Sequence, residues 1–150
     1  MTGDAAISVE GLTKKFGIRT VVDNVSLEVG RGRICGFLGP NGSGKTTTLR
    51  MICGLLIPDG GGGEVLGMDV RTQRELIMRR IGYMTQRFGL FEDLTIRENL
   101  AFVADAYGLD EKTKRVDAAL ERLGLETRAD QLAGTLSGGW KQWLALAACV

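Results

Sequence analysis

The first third of the chain carries apolar and polar residues in partial alternation, which is the pattern of half-buried strands. Residues 7–10 and 21–29 are rich in β-branched side chains and predict an antiparallel sheet near the N-terminus. An apolar run at 33–38 predicts a short buried strand, and residues 47–56 predict the helix that follows it. Further elements are predicted before the middle of the chain: a glycine turn at 58–63, a strand at 64–67, a surface helix at 72–80 and a strand at 81–84.

The second half of the chain has the periodicity of helices. Thr95 and Glu98 form a capping-box signature at the start of one helix, and Asp110 is the predicted cap of the next, which Gly124 ends. The apolar faces of the two helices are predicted from their spacing: Ile96, Leu100, Val103, Ala104 and Tyr107 on the first, and Val116, Ala119, Leu120 and Leu123 on the second. A strand-rich first half and a helical second half predict two subdomains that divide near residues 86–93.

Composition places the chain among ordinary globular proteins: of its 150 residues 44% are hydrophobic and 25% charged, with a formal net charge of +1. That balance gives no indication of nucleic acid as a partner. The absence of histidine excludes a histidine base, metal ligand or pH switch within these residues. Cys35, Cys53 and Cys149 lie in apolar surroundings and are predicted to be reduced core residues of a cytosolic protein. No apolar run approaches the roughly 18 residues of a membrane span, and no secretory signal is predicted.

Residues 39–46 hold the most specific chemical motif of the chain. They match G-x-x-x-x-G-K-[ST], the phosphate-binding P-loop, between the predicted strand and helix. In that arrangement backbone N–H groups and a helix N-terminus surround an anion, with Lys45 placed to reach the β- and γ-phosphates and Thr46 to ligate Mg²⁺. An ordinary glycine-rich turn is the alternative, and the strand–loop–helix context argues against it. The candidate phosphate-binding residues are Gly39, Asn41, Gly42, Ser43, Gly44, Lys45, Thr46 and Thr47.

A second motif lies at residues 136–142, with the sequence Leu-Ser-Gly-Gly-Trp-Lys-Gln. Ser137 is a predicted N-cap, and Gly138 and Gly139 open a helix whose positive N-terminus again favours an anion. Together with the P-loop at this spacing, the motif resembles the LSGGQ signature of ATP-binding cassette (ABC) ATPases, and the resemblance covers essentially the whole chain. In that family the signature binds the γ-phosphate held by the P-loop of a second, head-to-tail domain.

The resemblance implies roles for three other residues. Phe16 stands where the family has an aromatic ring that stacks on adenine, and Val21 where a small apolar residue touches the same ring. Without the P-loop, Phe16 would be interpreted as a core aromatic. Gln86 matches the family's Q-loop glutamine, which contacts Mg²⁺ and water near the γ-phosphate. Residues 88–100 look like those of the ATP-binding subunits of bacterial drug and antibiotic exporters, in which this surface receives a coupling helix of the membrane permease.

The resemblance also implies an organisation and a function. The implied fold is α/β, with a P-loop NTPase (RecA-like) core, an N-terminal antiparallel β subdomain and an α-helical signature subdomain. Residues 1–87 are assigned to the β subdomain and core, 88–137 to the helical subdomain and 138–150 to the return to the core. The implied function is binding and hydrolysis of ATP with Mg²⁺, with Lys45 and Gln86 as catalytic residues, powering export across a membrane. A permease and a second ABC domain are the implied partners, at the cytoplasmic face of the membrane.

The chain departs from the family pattern at several places. Trp140 replaces the glutamine that ends the signature, and Trp143 replaces a usual arginine. The family's strand ending in Asp-Glu and its following histidine are not recognised, so the sequence is interpreted as a domain truncated before the Walker B strand. Residues 1–150 alone are therefore expected to show no ATPase activity and to be poorly soluble. Two alternatives stay open: a soluble ABC ATPase that drives no transport, and a fragment that binds nucleotide weakly or not at all and does not hydrolyse it.

Overall fold

Two compact units make up the chain, and the computed structural model describes them over residues 5–85 and 89–149. Unit 1 is Met1–Ile81 and unit 2 is Gly82–Val150. The elements of unit 1 are β1 (Ala5–Phe16), β2 (Arg19–Gly30), α1 (Lys45–Ile52), β3 (Gly60–Val65), β4 (Met68–Asp69) and α2 (Arg74–Met78). Those of unit 2 are α3 (Ile96–Ala106), α4 (Lys112–Leu123) and α5 (Gly138–Ala147), with 3₁₀ turns at Glu126–Arg128 and Ala133–Thr135.

Unit 1 is built on an antiparallel sheet with strand order β2-β1-β3-β4. β1 and β2 form a hairpin that pairs from Ala5 with Gly30 to Phe16 with Arg19. The predicted N-terminal sheet is therefore confirmed, and its strands are longer than the alternating pattern indicated. Apolar residues of the strands pack with α1 and α2 in a single core. Val9 and Leu12 of β1 are three positions apart, and both reach this core because the strand register shifts between them. The buried residues of this core are Val9, Leu12, Val22, Met51, Ile52, Val65, Met68, Val70 and Ile77.

The glycine run at 60–63, predicted as a turn, is instead the first part of β3. Gly61 and Gly63 have φ values of 71° and 131°, and a Cβ on either would overlap the backbone of β1. Glycine lets the two strands approach this closely because it has no side chain. The predicted strand at 64–67 is accordingly the end of β3, and residues 66–67 form a turn.

Residues 33–38 do not form the predicted buried strand. Ile34 is 104% exposed and Leu38 93%, and Cys35, which was expected in the core, is exposed as well. A core strand needs a neighbour that satisfies its backbone groups, and no strand among the described residues pairs with this segment. The same reason applies to residues 81–84, which lack the predicted strand. An apolar run indicates a capacity for burial, but burial also requires a partner.

Unit 2 begins its helices at a capping box, as predicted. Thr95 Oγ1 accepts the Glu98 N–H at 3.1 Å, and the Glu98 carboxylate accepts the Thr95 N–H at 2.8 Å. These two bonds satisfy donors that would otherwise be unpaired at the start of α3. The three helices share one core, whose buried residues include Ile96, Leu100, Ala104, Val116, Leu120, Leu125 and Leu144.

Two predictions about the helix ends in unit 2 are wrong. The N-cap of α4 is Glu111 rather than Asp110, because the chain turns through a left-handed φ of 51° at Glu111 before the helix begins. Tyr107, predicted on the apolar face of α3, is the residue at which that helix ends, and it is exposed. Gly124 ends α4 as predicted, with a left-handed φ of 62°.

Candidate functional site

The glycine loop, residues 39–46, is anchored to the sheet of unit 1 where α1 begins. The Ser43 N–H donates to the Pro40 carbonyl at 3.3 Å, and Gly44 has a left-handed φ of 85°. A Cβ on Gly44 would lie 2.5 Å from the Val21 carbonyl oxygen, so a glycine is needed for the loop to pack against β2. The buried Thr48 hydroxyl donates to the Gly44 carbonyl at 3.1 Å and fixes the loop to the first turn of the helix.

Lys45 is the first residue of α1, and its side chain turns back over the glycine loop. Nζ donates to the Gly39 carbonyl at 2.6 Å and to the Pro40 carbonyl at 2.7 Å. The ammonium group therefore lies against the loop backbone, beside a helix N-terminus whose first N–H groups have no partner within the helix. The lysine ammonium and the N-terminal end of the helix dipole are both positive, and both favour an anion.

Thr46 and Thr47 occupy the next two positions of α1, and Thr46 is exposed. The Thr46 hydroxyl is a hard oxygen ligand of the kind that Mg²⁺ prefers. Among the described residues, no group of three or more His, Cys, Asp or Glu side chains is placed to hold a metal ion. Beside nucleotides, Mg²⁺ is usually bound by phosphate oxygens together with one or two protein ligands. Gln86, the other predicted magnesium ligand, lies outside the described residues.

Phe16 and Val21 lie on the β1–β2 hairpin, which also contacts the glycine loop. Phe16 pairs with Arg19 at the tip of the hairpin, and 52% of its surface is exposed. It is therefore not a core aromatic. Val21 is partly buried against the core of unit 1, and its carbonyl is the group that Gly44 approaches. The two residues predicted to contact a base thus lie on one hairpin. The predicted phosphate site packs against the same hairpin through the approach of Gly44 to Val21.

Lys14 lies next to the Phe16 ring and pairs with Asp59; no sequence pattern singled out either residue. Lys14 Nζ is 5.8 Å from the centroid of the Phe16 ring and donates to Asp59 Oδ1 at 3.0 Å. The Lys15 N–H, and after it the Lys14 ammonium, hold the pKa of the Asp59 carboxyl below its usual range by hydrogen bonding. Lys14 and Asp59 are 45 positions apart, so local patterns in the sequence could not reveal their contact.

The second motif forms the start of α5. Ser137 is the N-cap, as predicted, with φ −64° and ψ 158°, and Gly138 and Gly139 are the first exposed residues of the helix. The Lys141 N–H donates to the Ser137 carbonyl at 2.9 Å, and the Ser137 side chain makes no capping hydrogen bond. The helix therefore presents its N-terminus and a serine hydroxyl at the surface of unit 2, an arrangement that favours an anion.

Trp140 and Trp143 lie in the first two turns of α5. The guanidinium carbon of Arg128 is 5.2 Å from a Trp140 ring centroid, in cation–π contact, and Trp143 is 59% exposed. Lys141 donates to Glu92 at 2.7 Å and holds the pKa of that carboxyl below its usual range. The tryptophans help to line a cavity of about 470 Å³, together with Arg122, Leu123, Ser137 and Gly139. Neither tryptophan is a buried core residue of unit 2.

The Asp-Glu pair that follows a core strand in ABC ATPases is not found in that setting here. The one Asp-Glu dipeptide of the sequence is Asp110-Glu111, which lies between α3 and α4. It follows a helix rather than a strand, and Glu111 is the N-cap of the next helix. This dipeptide therefore does not take the place of the family's catalytic carboxylate.

The chain matches the family model described as "ABC transporter" over residues 22–150. This match covers most of the chain, which therefore belongs to the ABC transporter family. The resemblance inferred from the glycine loop and the second motif is thereby confirmed, as is the α/β fold class.

Curated relatives and solved structures agree with this assignment. The probable multidrug ABC transporter ATP-binding protein YbhF of Escherichia coli is 42% identical over 147 residues, which are 97% of this chain and 25% of that protein. The probable sulfate/thiosulfate import ATP-binding protein CysA of Chlorella vulgaris is 42% identical over 144 residues, 95% of this chain and 61% of that protein. The structure of cbiO1 from Clostridium perfringens, part of the ABC transporter complex cbiONQ, matches with a TM-score of 0.85 and 28% identity, covering 97% of this chain and 61% of that one.

The chain spans from a quarter to about three fifths of the length of these relatives. Within residues 5–85 and 89–149, no helix has both the length and the apolar character that crossing a membrane requires.

Proposed function

We propose that this chain is the nucleotide-binding part of a transporter ATPase and that its glycine loop binds the phosphates of ATP. The observation that carries the proposal is the position of Lys45, whose ammonium group lies on the loop backbone at the first residue of α1. The names of YbhF and CysA, both ATP-binding proteins, support ATP as the ligand.

Phosphate binding would require Lys45 to exchange two carbonyl partners for phosphate oxygens. A hydrogen bond between two charged groups is stronger than one to a neutral carbonyl, so the exchange favours the anion. Backbone N–H groups of the loop and of the first turn of α1 would complete the contact. The residues proposed to take part are Gly39, Asn41, Gly42, Ser43, Gly44, Lys45, Thr46 and Thr47. When bound, Mg²⁺ would neutralise part of the phosphate charge, and Thr46 and Gln86 are the residues proposed to hold it.

Hydrolysis would use positioning and electrostatic stabilisation rather than a covalent intermediate. Lys45 is proposed to stabilise the charge that develops on the γ-phosphate as water attacks, and Gln86 to contact that water. Phe16 is proposed to stack on the adenine ring, with Val21 touching the same ring. The exposure of Phe16 at the tip of the hairpin supports this role, because a stacking residue needs a free face.

The proposed assembly pairs this chain with a second ABC domain and a membrane permease. Ser137, Gly138 and Gly139 would contact the γ-phosphate bound to the second domain, and the segment after Gln86 would receive the permease, at the cytoplasmic face of the membrane. No nucleic acid is part of this proposal. Export is the proposed direction, supported by the resemblance of residues 88–100 to drug exporters and by the multidrug name of YbhF. The import name of CysA means that family membership alone does not fix the direction.

Nucleotide binding by the 150-residue chain tests the proposal. Lys45→Ala is expected to weaken ATP affinity by about 10- to 100-fold, because a hydrogen bond to a charged group contributes roughly 1.5–3 kcal/mol. Lys114→Ala removes the same charge from α4 in unit 2 and is the matched control. Calorimetric titration should show ATP binding by the native chain and the control, with loss in Lys45→Ala. Equal affinity in all three, or no binding by the native chain, would refute the proposed site.

A second candidate function is nucleotide binding without hydrolysis by these 150 residues. It is favoured by the place of Asp110-Glu111, which follows a helix rather than a core strand. Loss of general-base assistance typically costs about 10²–10⁴-fold in rate. Phosphate release by the purified chain is therefore expected to stay at background. Turnover that Lys45→Ala abolishes would contradict this candidate and would show that the catalytic carboxylate lies elsewhere in the chain.

A further inference from the structure

The end of β1 is tied to the turn before β3 by one aspartate. Asp59 Oδ2 accepts the Lys15 N–H at 2.7 Å, and Asp59 Oδ1 accepts Lys14 Nζ at 3.0 Å. The same ammonium group donates to the Ile57 carbonyl at 2.8 Å, and the Asp59 N–H donates to the Thr13 carbonyl at 2.9 Å. We call Lys14 and Asp59 the aspartate brace. Its hydrogen bonds hold the two residues that immediately precede Phe16.

The strand ladder holds the backbone of the hairpin tip, where Lys15 lies opposite Thr20 and Phe16 opposite Arg19. Only the turn at residues 17–18 lies beyond Phe16, and Ile18 in that turn is fully exposed. The register of β1 and β2 is irregular between Lys14 and Lys15, directly before the tip. The ladder fixes the main chain at Phe16 but not its half-exposed ring, whose orientation depends on neighbouring side chains such as Lys14.

The aspartate brace differs from an ordinary surface ion pair. Exposed pairs contribute little because both side chains stay mobile and solvated. Here the Lys14 side chain is 13% exposed; the Asp59 side chain is 43% exposed, but both of its oxygens are engaged, one of them by a main-chain N–H. The ammonium also lies 5.8 Å from the Phe16 ring centroid, within the range of cation–π attraction. One cation therefore contacts both the carboxylate and the aromatic ring.

We infer that Lys14 and Asp59 are positioning residues that hold the Phe16 ring as a platform for the base of the bound nucleotide. The inference rests on the proposed function, which places adenine on Phe16. A ring that is already fixed loses less conformational freedom when the base stacks on it, and this raises affinity without a new contact to the ligand. Loss of the brace should therefore weaken binding of the base and leave binding of the phosphates unchanged.

Comparison of ATP with inorganic tripolyphosphate tests this inference, because only ATP carries a base. Asp59→Ala and Lys14→Met are expected to weaken ATP binding by about two- to tenfold, which is the range of one aromatic stacking contact. Tripolyphosphate affinity is expected to stay unchanged in both variants. Lys14→Arg keeps the cation and is expected to retain most of the ATP affinity. Unfolding curves for each variant ensure that the titrations are done on folded protein.

A double-mutant cycle with Phe16→Ala completes the test. If the brace acts through the ring, Asp59→Ala or Lys14→Met should have no further effect on ATP binding once Phe16 is alanine. Equal losses for ATP and tripolyphosphate, or losses that add to that of Phe16→Ala, would overturn the inference. The inference would also be overturned if Phe16→Ala weakened ATP binding while both brace variants bound ATP normally. In that case the proposed nucleotide site would still stand. Unchanged ATP affinity in Phe16→Ala would overturn the base platform itself, and absence of binding by the native chain would overturn the proposed function.

Discussion

Replacing Gly44 by alanine should detach the glycine loop from β2. A left-handed conformation costs a non-glycine residue about 1–2 kcal/mol, and Gly44 has φ 85°. The new Cβ would also lie 2.5 Å from the Val21 carbonyl oxygen and 3.0 Å from Val22 Cγ2. The backbone or these side chains must move to relieve the overlap. Overpacking of this kind costs about 1–3 kcal/mol. Gly44→Ala should therefore destabilise unit 1 by about 2–5 kcal/mol.

Gly42 supplies the matched control, because its φ is 82° but a Cβ there would meet no atom within 4 Å. Gly42→Ala should cost only the conformational part, about 1–2 kcal/mol. Urea unfolding of both variants measures the difference. The two variants differ by the overpacking cost alone, about 1–3 kcal/mol. With a slope of about 1–2 kcal/mol per molar urea, the midpoint of Gly44→Ala should lie about 0.5–3 M below that of Gly42→Ala. Coinciding midpoints would refute the close packing of the loop against β2, and with it the anchoring of the phosphate site to the sheet.

The remaining predictions concern unit 2. The Thr95 N–H and hydroxyl hold the pKa of the Glu98 carboxyl below its ordinary value of 4.5 by hydrogen bonding. The carboxylate therefore stabilises the folded chain fully above pH 4.5, and this contribution is lost as the pH falls through the lowered pKa of the folded state. Thermal unfolding should show the native chain approaching Glu98→Gln in stability as the pH is lowered, and a gap that widens instead would contradict the capping box. In the complete ATP-binding domain, Ser137→Arg should abolish the ATP-dependent dimer, measured by sedimentation under non-hydrolysing conditions. A dimer that survives the substitution would show that Ser137 does not lie at the dimer contact.

Features that depend on neighbouring residues could be predicted from the sequence. Thr95 and Glu98 are three positions apart, and both hydrogen bonds of the capping box form between them. Gly124 ends α4 for an equally local reason, since glycine tolerates a left-handed conformation. Ser137 occupies the predicted N-cap position of α5, but its side chain makes no capping hydrogen bond. The match of the glycine loop to a phosphate-binding pattern likewise depends on eight consecutive residues.

Features that depend on distant partners could not be predicted in the same way. Residues 33–38 have the apolar composition of a strand, but their conformation depends on whether another strand lies beside them. The strand character of residues 60–63 follows from the close approach of Gly61 and Gly63 to β1, some 50 positions earlier in the chain. The contact of Lys14 with Asp59 joins residues 45 positions apart. The roles assigned to Gln86, Phe16 and Ser137 in nucleotide binding, and the domain boundaries at 87/88 and 137/138, stay predictions.

The most direct test of the central claim is to map where ATP binds on the 150-residue chain by amide chemical shifts. If the glycine loop binds the phosphates, ATP should shift the amide resonances of Gly42, Ser43, Gly44, Lys45 and Thr46 most strongly, and tripolyphosphate should shift the same set. At a ligand concentration near the Kd of the native chain, the Lys45→Ala variant should show much smaller changes with either ligand. Shifts confined to other parts of the chain, or identical shifts in the native chain and Lys45→Ala, would contradict the assignment of this loop as the phosphate site.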